Sequence, residues 1–292
     1  MASSDGRYET VFRKIIHDQN AQRWRELETS LQPTVVVDGC PVPKGRFRGY
    51  LLGDHAGDEG EREVRIDAIL VDTNTHSIAA RLINRVTLGD SSEPFEYQEI
   101  VFAKFTDNLL SSWQTLRDED GFRNREPSVA STPSSPPSPS SPSSPSSSDA
   151  NQLPPSKTPA ELDLFYRGYI KTINEKTMTQ EFDRFCRPKL QHNGRELTIA
   201  EYIPLISDSQ DAIEGLHFGI QEVFTDAITQ QIGARLEFTG TPVKEWGGAK
   251  PNGESVVFHE HVMYQLEHGR ISRVWSTIEL DVYRSQMGTA AP

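Results

Sequence analysis

Cysteine is scarce in this chain of 292 residues: only Cys40 and Cys186 occur, one in each half, and their spacing fits neither a disulfide framework nor a zinc site. No block of Lys and Arg offsets the formal net charge of -12, and an acidic surface would be repelled by nucleic acid and by anionic membrane, so neither is expected as a partner. No apolar run approaches the about 18 residues a membrane span needs, and residues 1–8 are polar. Neither a transmembrane helix nor a signal peptide is therefore expected, and the expected location is the cytoplasm. A Gly-rich phosphate loop and a Ser or Cys nucleophile motif are missing too. What is left is an ordinary globular composition, 35% hydrophobic and 25% charged, in a chain long enough for two domains. A small or neutral ligand suits it best.

Residues 128–148 contain 12 Ser and 6 Pro among 21 positions, a composition with no apolar surface to offset the entropy of ordering. The span 127–160 is accordingly read as a disordered Ser/Pro linker between domains at 1–126 and 161–292. The two domains carry the same signature. Asn20, Pro33, Gly39, Asp72, Ala80-Arg81-Leu82, Glu99 and Ser111 match Asn174, Pro188, Gly194, Asp226, Ala234-Arg235-Leu236, Glu260 and Ser272 in order. The spacings agree: six residues from Pro33 to Gly39 and from Pro188 to Gly194, nine from Asp72 to Arg81 and from Asp226 to Arg235. The second copy has seven extra residues, in the Gly-rich loop around Trp246.

Each copy opens with helical spacing, as at Leu164-Phe165, Tyr169, Ile173, Phe182 and Phe185, and a shorter helical segment follows at 199–206. Period-2 alternation then predicts strands at 216–225, 231–239, 255–266 and 271–280, with a hairpin turn at 267–270. Helices first and strands afterwards is an α+β plan.

The segments ARLEFTG (234–240), VVFHEHVMYQLEHGRI (256–271) and VWSTIE (274–279), with Pro251-Asn252-Gly253 between, resemble the SnoaL-like polyketide cyclases of the nuclear transport factor 2-like superfamily. The first half resembles them more weakly, through 78–86 and 95–105. The resemblance implies two cone-shaped domains, each a curved antiparallel sheet packed on helices around an apolar pocket, docked on each other as an internal pseudo-dimer. It also implies cofactor-independent acid/base chemistry on a small molecule. In several members an Asp on the last strand is the acid/base; the matching positions here are Glu279 and, in the first half, Asp118.

Parity along 256–266 puts Val256, Phe258, Glu260, Val262, Tyr264 and Leu266 on one face and His259 and His261 on the other. The first face is the more apolar and is read as the pocket wall. A lone carboxylate there would have a raised pKa and could exchange protons near neutral pH; the alternative is that Glu260 pairs with Arg235 and only supports the fold. The same parity groups Phe218, Ile220, Glu222 and Phe224, making Glu222 a second candidate. His192, His217 and His259 have no His at the matched first-half positions, where Val37, Glu63 and Gln98 stand. Any active site is therefore expected in the second domain, and the first is read as a degenerate, structural copy. Tyr169, Tyr202, Phe218, Tyr264, Trp246 and Trp275 are the candidate aromatic substrate wall. His259 and His261 share a face as in cupin metal sites, but Gln265 and Leu266 stand where the third ligand belongs, so no metal is expected. Two functions remain open: a cyclase, isomerase or dehydratase of natural-product biosynthesis, and a non-catalytic tandem module that binds a ligand or a protein.

Overall fold

The computed structural model describes residues 5–52, 60–88, 93–124 and 156–288. Most of the span read as linker lies outside the described residues, and its last two positions already belong to a helix. In the first half, α1 (Asp5–Asn20) and α2 (Trp24–Glu28) lead into β1 (Leu31–Val37) and β2 (Cys40–Pro43). Then come α3 (Lys44–Leu52), β3 (Gly60–Asp72), β4 (Ser77–Leu88), β5 (Phe95–Thr106), β6 (Leu109–Arg117) and α4 (Glu119–Asn124). The second half repeats this order with α5 (Pro159–Asn174), α6 (Met178–Phe185), β7 (Cys186–His192), β8 (Arg195–Thr198) and α7 (Ile199–Ala212). It ends with β9 (Ile213–Asp226), β10 (Gln231–Pro242), β11 (Val256–Glu267), β12 (Arg270–Ile278) and α8 (Leu280–Gln286).

The strand orders are the same in both halves, β2-β1-β6-β5-β4-β3 and β8-β7-β12-β11-β10-β9. The α+β plan holds, but the sheets are mixed rather than antiparallel. The last four strands of each domain form an antiparallel meander, while β1 and β7 run parallel to β6 and β12. The long connection from β7 through β8, α7 and β9 to β11 brings β12 alongside β7 in the same direction, which a two-residue hairpin could not do.

Local sequence accounts for the elements. The start of α5 has a full capping box, Thr158 with Glu161, and a Pro at its first turn; Leu162, Tyr166, Tyr169, Ile170 and Ile173 then bury one face. Thr198 and Glu201 cap α7 in the same way. The repeated Gly39 and Gly194 close the β1–β2 and β7–β8 hairpins: Asp38-Gly39 and Asn193-Gly194 all have positive φ (44°, 82°, 45° and 84°), as a type I′ turn requires. The repeated Asn20 and Asn174 each make a two-way bridge from the end of the first helix to an edge strand, at Val64 and Phe218 respectively.

The halves touch through the sheet faces turned away from their helices. Leu70, Ala79, Ile100 and Phe102 share one apolar cluster with Phe224, Met263 and Trp275. The contact is reciprocal: Asp72 accepts a hydrogen bond from the Thr225 backbone N–H (3.0 Å), and its repeat partner Asp226 accepts from the Val71 N–H (3.3 Å). Where the faces meet most closely, a Cβ added to Gly233 would lie 2.8 Å from the Cβ of Ala79, its counterpart in the repeat. Arg123 of α4 clamps Asp281 of α8, and Arg284 of α8 clamps Asp120 of α4. Among the described residues no helix is long and apolar enough to cross a membrane.

Candidate active site

The core of the second domain lies between α5, α6, α7 and the inner sheet face, and part of it is a cavity of about 240 Å³. On β11 the alternation holds: Val256, Phe258, Val262, Tyr264 and Leu266 are buried in this core, and Glu260 sits among them on the cavity wall. Among the described residues its one side-chain hydrogen bond comes from the Ser276 hydroxyl on β12, which donates to Oε1. Burial pushes the carboxyl up to about 7, against the smaller opposing pull of Ser276. Arg235 does not neutralise it. That guanidinium stands on the opposite face, donating to His261 Nε2 (2.7 Å) and Gln221 Oε1 (2.9 Å).

His192, at the end of β7, lines the same cavity against the Tyr202 ring. Burial, helped by the Arg195 charge, lowers it to about 4, so it is a neutral imidazole at pH 7. The hydroxyls of Tyr169 (α5) and Tyr202 (α7) share a hydrogen bond of 2.9 Å, and burial raises both above the ordinary tyrosine range. Phe218, Tyr264 and Trp246 complete the aromatic lining, Phe218 edge-on to Phe238 at 4.6 Å. A carboxyl raised to about 7 in such a cavity can exchange a proton with a substrate near neutral pH, while the imidazole stays neutral as a hydrogen-bonding group.

The remaining candidates lie elsewhere. A bulge at Gln221, where β9 slips against Arg235 and Leu236, inverts the parity of β9. Phe218 therefore faces the cavity, but Glu222 faces the first domain, where its Oε1 accepts from Lys104 (2.7 Å). His217 is exposed on the strand's outer side. Trp275 alternates away from Ser276 into the cluster shared with the first domain. Glu279 lies just past β12 and turns outward, its Oε2 2.9 Å from His259 Nδ1, and His259 also faces Glu237 at 3.6 Å. Glu279 thus does not reach this cavity, whereas Asp118, its counterpart in the first half, lies on the cavity wall. His261 is fully buried, its Nδ1–H donating to the Ile100 carbonyl (3.0 Å), and burial lowers it to about 3. Among the described residues no three His, Cys, Asp or Glu converge as metal ligands.

Sequence reasoning missed the residues that hold Glu260 in place. The Ser276 backbone is fixed by Asn193, which accepts from its N–H (2.9 Å) and donates to its carbonyl (3.0 Å). Gln98 of the first domain donates to the same carbonyl (3.0 Å) and, with Asp118, lines the cavity. A signal existed: Glu99 and Thr115 repeat the 16-residue spacing of Glu260 and Ser276, with the same side-chain bond, 2.6 Å in the first domain.

Residues 163–286 match the sequence model of the SnoaL-like polyketide cyclase family. A SnoaL-like polyketide cyclase from Agrobacterium tumefaciens is 30% identical over 44% of this chain and 98% of its own length, with a TM-score of 0.41. TsrD from Streptomyces laurentii is 18% identical over 45% of this chain and 98% of its own, with a TM-score of 0.41. No curated protein sequence matches the chain. With one domain matching the family's sequence model and 30% identity along nearly all of the Agrobacterium protein, the chain belongs to the SnoaL-like polyketide cyclase family.

Proposed function

We propose that the second domain catalyses a cofactor-independent cyclisation, isomerisation or dehydration of an oxygenated polyketide- or terpenoid-like small molecule, with Glu260 as the group that exchanges the proton. The observation that carries this is the Glu260 carboxyl itself, set in an apolar wall with one hydroxyl partner and pushed up to about 7. Near neutral pH such a carboxyl takes a proton from carbon or gives one to a departing oxygen with little driving force lost in either direction. His192, neutral at pH 7, and the Tyr169–Tyr202 hydroxyl pair offer hydrogen bonds to a substrate oxygen in the same cavity. The aromatic rings fix the substrate's conformation, which lowers the entropic part of the barrier.

Ligand cavities span about 300–1,000 Å³, and one of about 240 Å³ is small. That volume favours a compact substrate. It is also the observation on the side of the second reading, a binding module without turnover. The test compares metabolite extracts incubated with the full chain and with Glu260→Gln, which keeps shape and hydrogen bonding but not the titratable proton. Catalysis predicts a substrate and product pair that changes with the wild type and about 100-fold more slowly or not at all with the variant. Retention of one compound by both proteins, with nothing converted, establishes the binding module instead.

A further inference from the structure

Glu99, the repeat counterpart of Glu260, stands on the wall of a cavity of about 570 Å³ in the first domain and is fixed by donors of its own domain. Its oxygens accept from Thr115 Oγ1 (2.6 Å), Asn84 Nδ2 (3.1 Å) and, at 3.4 Å, Arg62. Glu260 has only the Ser276 hydroxyl among the described residues, so its setting follows from how Ser276 is held. Ser276 is held from both domains. Asn193 bonds its backbone N–H (2.9 Å) and carbonyl (3.0 Å), and Gln98, on β5 of the first domain, donates to the same carbonyl (3.0 Å).

The buried Gln98 amide has one orientation. Arg81 Nε can only donate and takes Gln98 Oε1 (2.9 Å), which leaves Nε2 for Ser276. Arg81 is in turn fixed by Asp67, and the Gln98 carbonyl by the Asp118 N–H (2.9 Å). The repeat does not return this contact. Its counterpart relay, from Arg235 through His261 to the Ile100 carbonyl, ends on an apolar residue that lines neither cavity. His259, which stands where Gln98 does, turns to Glu279 instead (2.9 Å). An interface that is reciprocal at Asp72 and Asp226 therefore runs in one direction here, at the residue that serves Glu260.

We infer that Gln98 is a positioning residue for the acid/base site of the second domain: from the first domain it holds the Ser276 hydroxyl on Glu260, so the site is complete only while the two domains are docked. This rests on the reading of Glu260 as the group that exchanges the proton. The titratable groups facing Glu260 are the phenols of Tyr166 on α5, Tyr202 on α7 and Tyr264 on its own strand, all raised by burial and neutral at pH 7. Without a charged neighbour, the ionisation of Glu260 responds directly to how Ser276 is held.

The experiment follows the Glu260 carboxyl by carbon-13 NMR in the full chain labelled at glutamate Cδ, in the wild type, Gln98→Met, Ser276→Ala and the double variant. Loosening Ser276 weakens the bond that favours the ionised carboxyl. Gln98→Met should therefore raise the midpoint by about half a pH unit, and should add nothing to Ser276→Ala, because its effect runs through the hydroxyl. Lys104→Met breaks the cross-domain bond to Glu222, away from Ser276, and should lower stability while leaving the midpoint in place. Gln98→Asn, one methylene too short to span Arg81 and the carbonyl, gives the same comparison should Gln98→Met fail to fold. A folded Gln98 variant with the wild-type midpoint overturns the inference, as does a shift that adds to that of Ser276→Ala or an equal shift in Lys104→Met. A wild-type midpoint near 4.5 would overturn the reading of Glu260 itself, and the inference with it.

Discussion

Two carboxylates at one repeat position have been given different neighbours. Glu99 has Arg62, Asn84 and Thr115, while Glu260 has Ser276 and an apolar wall. Burial without a cation raises Glu260 from its ordinary value of 4.5 to about 7, so the folded protein holds that proton more tightly than the unfolded chain does. The contribution of this group to stability is therefore greatest below pH 4.5, falls as pH rises towards 7, and is level above that. A gap of this size corresponds to up to about 3 kcal/mol. Glu260→Gln lacks the titration, so urea unfolding at pH 4.5 and pH 8 should show the variant gaining on the wild type at the higher pH by up to about that amount. An unchanged difference between the two pH values would mean that Glu260 titrates as an ordinary carboxyl. Ser276→Ala removes the bond that opposes the shift, and its expected effect is an upward move of the pH at which the carboxyl titrates.

Among the elements, the close approach of β10 to β4 is the most sensitive point. Gly233→Ala would place a methyl group against Ala79, and overpacking of this kind costs about 1–3 kcal/mol. Adding Ala79→Gly moves the methyl to the other side of the contact and should restore most of the loss, measured by thermal or urea unfolding. Failure of the second change to rescue would show that the faces do not meet there. Thr198→Ala, at the cap of the helix that carries Tyr202, should cost about 1 kcal/mol. The legibility of the site followed these same elements. Glu260, Tyr264 and Phe218 were placed correctly because β11 and the first part of β9 alternate without interruption. Glu222 was misplaced because the bulge at Gln221 leaves no mark in the hydrophobic pattern. The β7–β8 hairpin and the parallel pairing of β7 with β12 were not legible either: β8 has four residues, and β7 and β12 are separated by five other elements along the chain. Trp275 looked like pocket lining until the alternation on β12 set it against the other domain.

At the scale of the molecule, each domain supplies part of the other's cavity: Gln98 and Asp118 reach the second, and Ile278 to Val282 reach the first. We propose that the pair forms an internal pseudo-dimer, in which Asp72 and Asp226 make equivalent contacts as an isologous interface requires. Small-angle scattering should then fit one compact particle, and two independent beads on a tether would refute it. The linker composition allows deletion of about ten residues within 128–148 with little loss of stability, since halving a loop changes its closure entropy by only about 0.6 kcal/mol. A large drop in melting temperature would contradict that. The central claim, that this fold keeps one carboxyl poised near neutral pH, needs no substrate to test. A carbon-13 NMR titration of the full chain labelled at glutamate Cδ, with Glu260 assigned by its loss in Glu260→Gln, should show that resonance titrating with a midpoint near 7. A midpoint near the ordinary value of 4.5 would contradict it.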